Sequence, residues 1–106
     1  MIGGTSTQNT NTPSIIVGDG STGVTILAAN TARIGFSIQN VGTTAASVRF
    51  GSGASATVYH FALKGGSSDN DGLGGSITFM GPTVYNGLIT FFGASTAKVT
   101  ALEIAP

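Results

Sequence analysis

The chain has 106 residues, of which only 8% are charged, and its formal net charge is zero. Four basic residues in total exclude the phosphate-tracking stripe that nucleic-acid binding requires. The absence of cysteine excludes disulfides, thiolate chemistry and Cys-based zinc sites. A solitary soluble domain carries about 25% charged residues, and a net charge near zero invites association. The composition therefore suits a protein that is packed against neighbours.

Residues 1–13 are dominated by Gly, Thr, Ser, Gln and Asn and close on Pro13. They offer little to nucleate a core and are expected to form an extended N-terminal arm, with one β domain over residues 14–106. The start has neither a basic nor an apolar region of the kind a signal peptide uses. No apolar run approaches the roughly 20 residues that cross a bilayer. Without cysteines, synthesis in the cytosol is the expectation.

Ser14–Val17 and Val24–Ala28 read as the first two strands, joined by the turn Gly18-Asp19-Gly20-Ser21-Thr22-Gly23. That turn matches G-x-G-x-x-G literally. A dinucleotide site would need a helix next and an acidic residue about 20 positions on. A β-branched strand follows instead, and the next acidic residue is Asp69. The match belongs to a Gly-rich chain and predicts no cofactor.

From Asn30 to Gly53 the pattern is firmest. Ile34, Phe36 and Ile38 alternate with Gly35, Ser37 and Gln39; Ala46, Val48 and Phe50 alternate with Ser47 and Arg49. This is the period of a half-buried strand, twice over. A hairpin centred on Gly42 would set Ile34 against Phe50, Phe36 against Val48 and Ile38 against Ala46, with every apolar residue on one face. Arg33 and Arg49 would then project as diagonal neighbours from the outer face, a candidate anchoring patch for an acidic partner.

Val58–Lys64 is a further strand. Its alternation sets Tyr59, Phe61 and Leu63 on one face, with His60 outward beside Val58 and Ala62. Gly65–Ser76 is a long Gly/Ser/Asp loop. Its Asp69-Asn70-Asp71-Gly72 resembles the opening of a calcium loop but lacks the downstream Glu, and an ordinary turn is expected. Ile77–Met80 resumes a strand. Asn86-Gly87 between apolar runs signals a tight hairpin. In it, Val84, Ile89 and Phe91 would share one face and Tyr85, Leu88 and Phe92 the other. A hairpin apolar on both sides needs a second cover, from the arm or another chain. Tyr85, Leu88 and Phe92 thus join Arg33 and Arg49 as candidate partner-binding residues. Lys98–Ile104 closes the chain as a final strand.

No stretch shows a capped helical stripe. About eight short strands between Gly-rich turns predict an all-β, single-domain antiparallel β-sandwich or jelly-roll-like fold. Catalysis is not expected. His60, the lone histidine, would need a carboxylate beside it, and three of the four acidic residues lie in Gly-rich turns. No catalytic, cofactor or metal residue is assigned.

The run Asn30-x-x-Arg33-x-Gly35-Phe36-x-Ile38-Gln39-Asn40-x-Gly42, followed by Val48-Arg49-Phe50-Gly51 and by Tyr59–Gly66, resembles one found in small β-structured virion proteins of tailed bacteriophages. The resemblance covers roughly residues 24–66. It implies a non-enzymatic virion structural protein, made in the host cytoplasm: a capsid decoration or cement protein that bridges major capsid subunits and self-associates, with a trimer expected from where such proteins sit. A head fibre, a head–tail connector or a tail component is the alternative. A glycan-binding β-sandwich is an alternative of another class and would expose an aromatic shelf.

Overall fold

The computed structural model describes residues 8–81 and 83–106. Residues 1–7, over half of the expected arm, lie outside that range. The described residues form nine strands and no helix: β1 (Asn9–Thr10), β2 (Ile15–Val17), β3 (Val24–Leu27), β4 (Gly35–Asn40), β5 (Ala46–Phe50), β6 (Phe61–Leu63), β7 (Ser76–Met80), β8 (Ile89–Phe92) and β9 (Lys98–Ala105). They assemble into two antiparallel sheets. One runs β1-β9-β4-β7, with β2 also paired to β9, and the other runs β3-β8-β5-β6. The all-β sandwich expected from the pattern is the fold.

The core lies between the sheets. Phe36 and Ile38 from β4 and Val99 from β9 meet Val48 from β5 and Ile89 and Phe91 from β8, all fully or almost fully buried. Period-two alternation therefore located the buried faces of β4 and β5 correctly, but in Val58–Lys64 only Phe61–Leu63 form a strand and Tyr59, expected inward, is exposed. Alternation did not locate the partners. The hairpin between Ile34–Ile38 and Ala46–Phe50 does not exist: β4 pairs with β9 and β7, whereas β5 pairs with β8 and β6. The two strands face each other across the core from opposite sheets.

The crossing is fixed by Asn40, which is 1% exposed. Its amide nitrogen donates to the carbonyls of Thr44 (2.7 Å) and Leu63 (2.9 Å), and its oxygen accepts the Gly42 N–H (3.0 Å). A buried amide with these partners stiffens the corner that takes the chain from one sheet to the other. Gly42 itself lies against the backbone of Thr96 and Lys98, where a Cβ would collide. This close approach, rather than a hairpin turn, explains the glycine.

The Gly65–Ser76 loop lies along this corner. Gly66 N–H donates to Gly42 O, Asn70 N–H to Val41 O, and Asn40 N–H to Gly75 O. Asn70 takes a left-handed backbone (φ 59°) and Gly72 follows at φ 78°, as an Asn-x-Gly turn allows.

The second expected hairpin is also absent. Residues 84–88 form no strand, and neither Asn86 nor Gly87 has the positive φ that the turn requires. Their carbonyls are engaged elsewhere: Asn86 O accepts from Asn30 N–H, and Tyr85 O and Gly87 O accept from the Arg33 guanidinium. Strand β8 begins only at Ile89 and takes β3 and β5 as neighbours. The outer face of β8 is covered by the chain itself. Thr90, 3% exposed, donates its hydroxyl proton to Gly51 O and accepts from Ala54 N–H. The Gly51–Ala54 segment thus lies over Thr90, a cover that neither the arm nor the Gly65–Ser76 loop supplies.

At the N-terminal side, β1 pairs with the end of β9 and β2 with its beginning. Between them Asn11 bridges the gap: its side chain donates to Ala101 O and accepts from Glu103 N–H. The described part of the arm thus completes an edge of its own sheet.

Candidate functional site

The five candidate partner-binding residues separate in the fold. Arg33 is not on a strand face at all. Its side chain is fully buried, with Nε 2.8 Å from Glu103 Oε2 and bonds to Ala28 O (2.7 Å), Tyr85 O and Gly87 O (3.0 Å each). The guanidinium also lies 5.5 Å from the centre of the Phe36 ring. Its planar fork uses several donors at once, which suits arginine to this position. The expected outer patch with Arg49 is overturned, because Arg33 ties residues 85–87 to the end of β9. Arg49 is half-buried on β5 and lies over Gly51 and Gly53.

Tyr85 is 36% exposed and stacks on Phe50, with ring centres 5.0 Å apart and planes 11° from parallel. Its hydroxyl donates to Leu88 O. Leu88 is half-buried, and so is Phe92 on β8. Only Tyr85 of the five belongs to a concentrated aromatic surface.

That surface is centred on Phe50. Phe36, Phe61, Phe79, Tyr85 and His60 all approach its ring within 5.0–5.8 Å, in stacked, tilted and edge-on arrangements. Phe36 is buried, whereas Phe79 is 36% exposed. The cluster therefore passes from the core to the surface beside β7. Met80 (61%) and Tyr59 (45%) are also exposed. No charged residue occurs anywhere between Asp71 and Lys98. Sequence reading missed this surface because it placed Phe79 on a strand without a neighbour and gave Tyr85 to a hairpin. Six Phe in 106 residues was the available signal.

The polar groups available for chemistry are held by the fold. Asp19 accepts from Ser21 and Thr22, backbone and hydroxyl alike, and these bonds, the Thr22 hydroxyl foremost, hold its carboxyl down to about 2. The Gly18–Gly23 run is thus a self-capped turn, with β3 after it. Asp71 accepts from the backbone N–H groups of Leu73, Ser68 and Ser67, which likewise lower its pKa. Asp69 pairs with Lys98, and Glu103 with Arg33. His60 is exposed, as expected, and its Nδ1 accepts the Phe50 N–H at 3.0 Å. Among the described residues no three His, Asp or Glu side chains converge on a common point. Nor is there, among the described residues, a helix long and apolar enough to cross a membrane.

Neither a protein family nor a curated protein matches the chain. A solved structure does: a chain from work on Bacillus endospore appendages, described as a family of disulfide-linked pili, superposes with a TM-score of 0.50. The match covers 92% of this chain and 82% of that one at 15% identity. At that identity the likeness is one of fold.

Proposed function

We propose that the chain is a non-enzymatic structural subunit of a large assembly, acting through its surface. The observation that carries this reading is the division of labour among its side chains. All four carboxylates serve turns or ion pairs, while aromatic and apolar side chains stand exposed beside a charge-free stretch. Exposed apolar surface of this kind marks contact with other proteins.

Within that class the resemblance over residues 24–66 favours a bacteriophage virion, with the chain as a decoration or cement protein on the head. Its partners would be the major capsid protein and copies of itself. Its action is mechanical: a rigid sandwich bridges neighbouring subunits and resists outward pressure from packaged DNA. Synthesis would be in the host cytoplasm. The deciding measurement is copy number in purified particles. Near-stoichiometric copies relative to the major capsid protein support decoration, whereas about six or twelve per particle indicate a connector or tail ring.

The likeness to an appendage pilus protein favours a second reading, a fibre subunit, by fold analogy alone. A fibre built from this chain would hold together without disulfides, since it has no cysteine. Filaments formed by the purified chain and resistant to reducing agent would support that reading.

A further inference from the structure

Among the described residues, the sandwich has one long strand edge that nothing covers. In antiparallel pairing, successive residues direct their N–H and C=O groups alternately to either side. Gly81 N–H donates to Ile34 O, and Asn40 N–H to Gly75 O. With the register Phe36↔Phe79 and Ile38↔Ile77, the odd-numbered residues of β7 bond to β4. The backbone groups of Ser76, Thr78 and Met80 therefore point away from the sheet, and none has a partner among the described residues.

Proteins protect such edges with charge, proline, bulges or brevity. The other edges here show these devices. β1, β2 and β6 have two or three residues each, β6 runs into Lys64, and the register of β3 shifts between Thr25 and Leu27. β7 has none of them within its span: it is five residues of regular ladder, Ser-Ile-Thr-Phe-Met, without charge, proline or bulge.

We infer that β7 is a self-association edge, pairing antiparallel with β7 of a second copy about a two-fold axis through Thr78. The sequence of the strand selects that occupant. In this register Thr78 faces Thr78 of the partner subunit, with their outward N–H and C=O groups exchanged. Ser76 and Met80 face each other in the same hydrogen-bonded manner. Ile77 meets the partner's Phe79 on the core side, so the apolar face stays continuous across the joint. A one-residue slip would set Phe79 among outer-face polar residues. The edge carries no charge, so it selects an uncharged partner strand, and β7 is one. The exposed Phe79 and Met80 gain cover on pairing, and Tyr85 lies beside Phe79 around the Phe50 ring.

The contact joins two sheets into one continuous sheet. Being isologous, it closes on itself as a dimer, so a trimer would need a different contact. The inference deepens the structural-subunit reading and rests on it only for self-association.

Thr78 is exposed, and its side chain contacts Ser37 Oγ at 2.9 Å on the outer face, so replacing it leaves the core untouched. Like charges directly opposed across a pair repel. Sedimentation equilibrium at tens of micromolar should give wild type twice the 10.5 kDa chain mass. Thr78→Lys and Thr78→Glu alone should each dimerise about 5-fold more weakly, and their equimolar mixture should recover the wild-type affinity. Thr78→Pro, which removes only an outward N–H, should be monomeric, and Thr78→Val dimeric. A monomeric wild type overturns the inference. So do Lys and Glu variants that dimerise as tightly as wild type, or a mixture that binds no more tightly than either variant alone. Particle copy number is read separately, so a monomer that still coats particles would refute this contact and leave the structural-subunit reading standing.

Discussion

Replacing Arg33 by methionine tests whether this arginine fastens the Tyr85–Gly87 segment to the sandwich or acts as a surface anchor. Its side chain is fully buried, while that of Glu103 is 17% exposed. The substitution keeps much of the apolar stem and removes every donor. Three carbonyls, of Ala28, Tyr85 and Gly87, lose their partner, and Glu103 keeps a charge without a counterion. A buried acceptor left unsatisfied costs about 1–3 kcal/mol. Breaking a buried ion pair from one side costs about 3–5 kcal/mol. These losses overlap, because residues 85–87 can relax toward water, so about 3–5 kcal/mol is expected in all. Against the roughly 5–15 kcal/mol of a small domain, that is about a fifth of the stability or more. It corresponds to a fall in Tm of roughly 15 °C or more. Urea titration of wild type, Arg33→Met, Glu103→Gln and the double variant would give both the cost and the coupling. Glu103→Gln should cost less, since its carboxylate is partly solvated. A loss below about 1 kcal/mol for Arg33→Met, with no coupling to Glu103, would refute the reasoning and return Arg33 to the surface.

Phe36→Ala empties a buried site and should cost about 3–5 kcal/mol, with Phe50→Ala costing less because Phe50 is half-buried; an unchanged melting temperature for Phe50→Ala would contradict its place at the centre of the aromatic cluster. Asp19 carries a pH signature. Its folded pKa, about 2 against an ordinary 3.8, is depressed, so its stabilisation is present above the unfolded value and is lost as pH falls through about 2. The gap in Tm between wild type and Asp19→Ala should therefore be constant from pH 7 to pH 5 and close on approach to pH 2, and a gap independent of pH would count against the capped turn. Calcium should leave melting unchanged, because Asp71 is committed to three backbone N–H groups and Asp69 to Lys98; a rise of several degrees would mean that a native-state site exists.

The sequence determined which residues of the central strands face inward. Phe36, Ile38, Ala46 and Val48 are buried as period-two alternation requires, because a strand in a sandwich has one dry side wherever it sits. It also determined the turn character of Gly18–Gly23 and Asp69–Gly72, where side-chain caps and left-handed backbone are local matters. Which strands pair was decided by tertiary structure. Facing β4 and β5 across the core satisfies the same alternation as setting them side by side, so the pattern cannot tell an arch from a hairpin. The buried amide of Asn40 and the close approach of Gly42 to Thr96 made it an arch. Asn86-Gly87 carried a strong local preference for a hairpin. It was overridden because Arg33, more than 50 residues earlier, takes the carbonyls on either side, and bonds from a buried guanidinium outweigh a turn propensity. The free edge of β7 was beyond the sequence for the same reason. A strand's composition shows what it would tolerate beside it, and only the completed sheet shows which side was left without a neighbour.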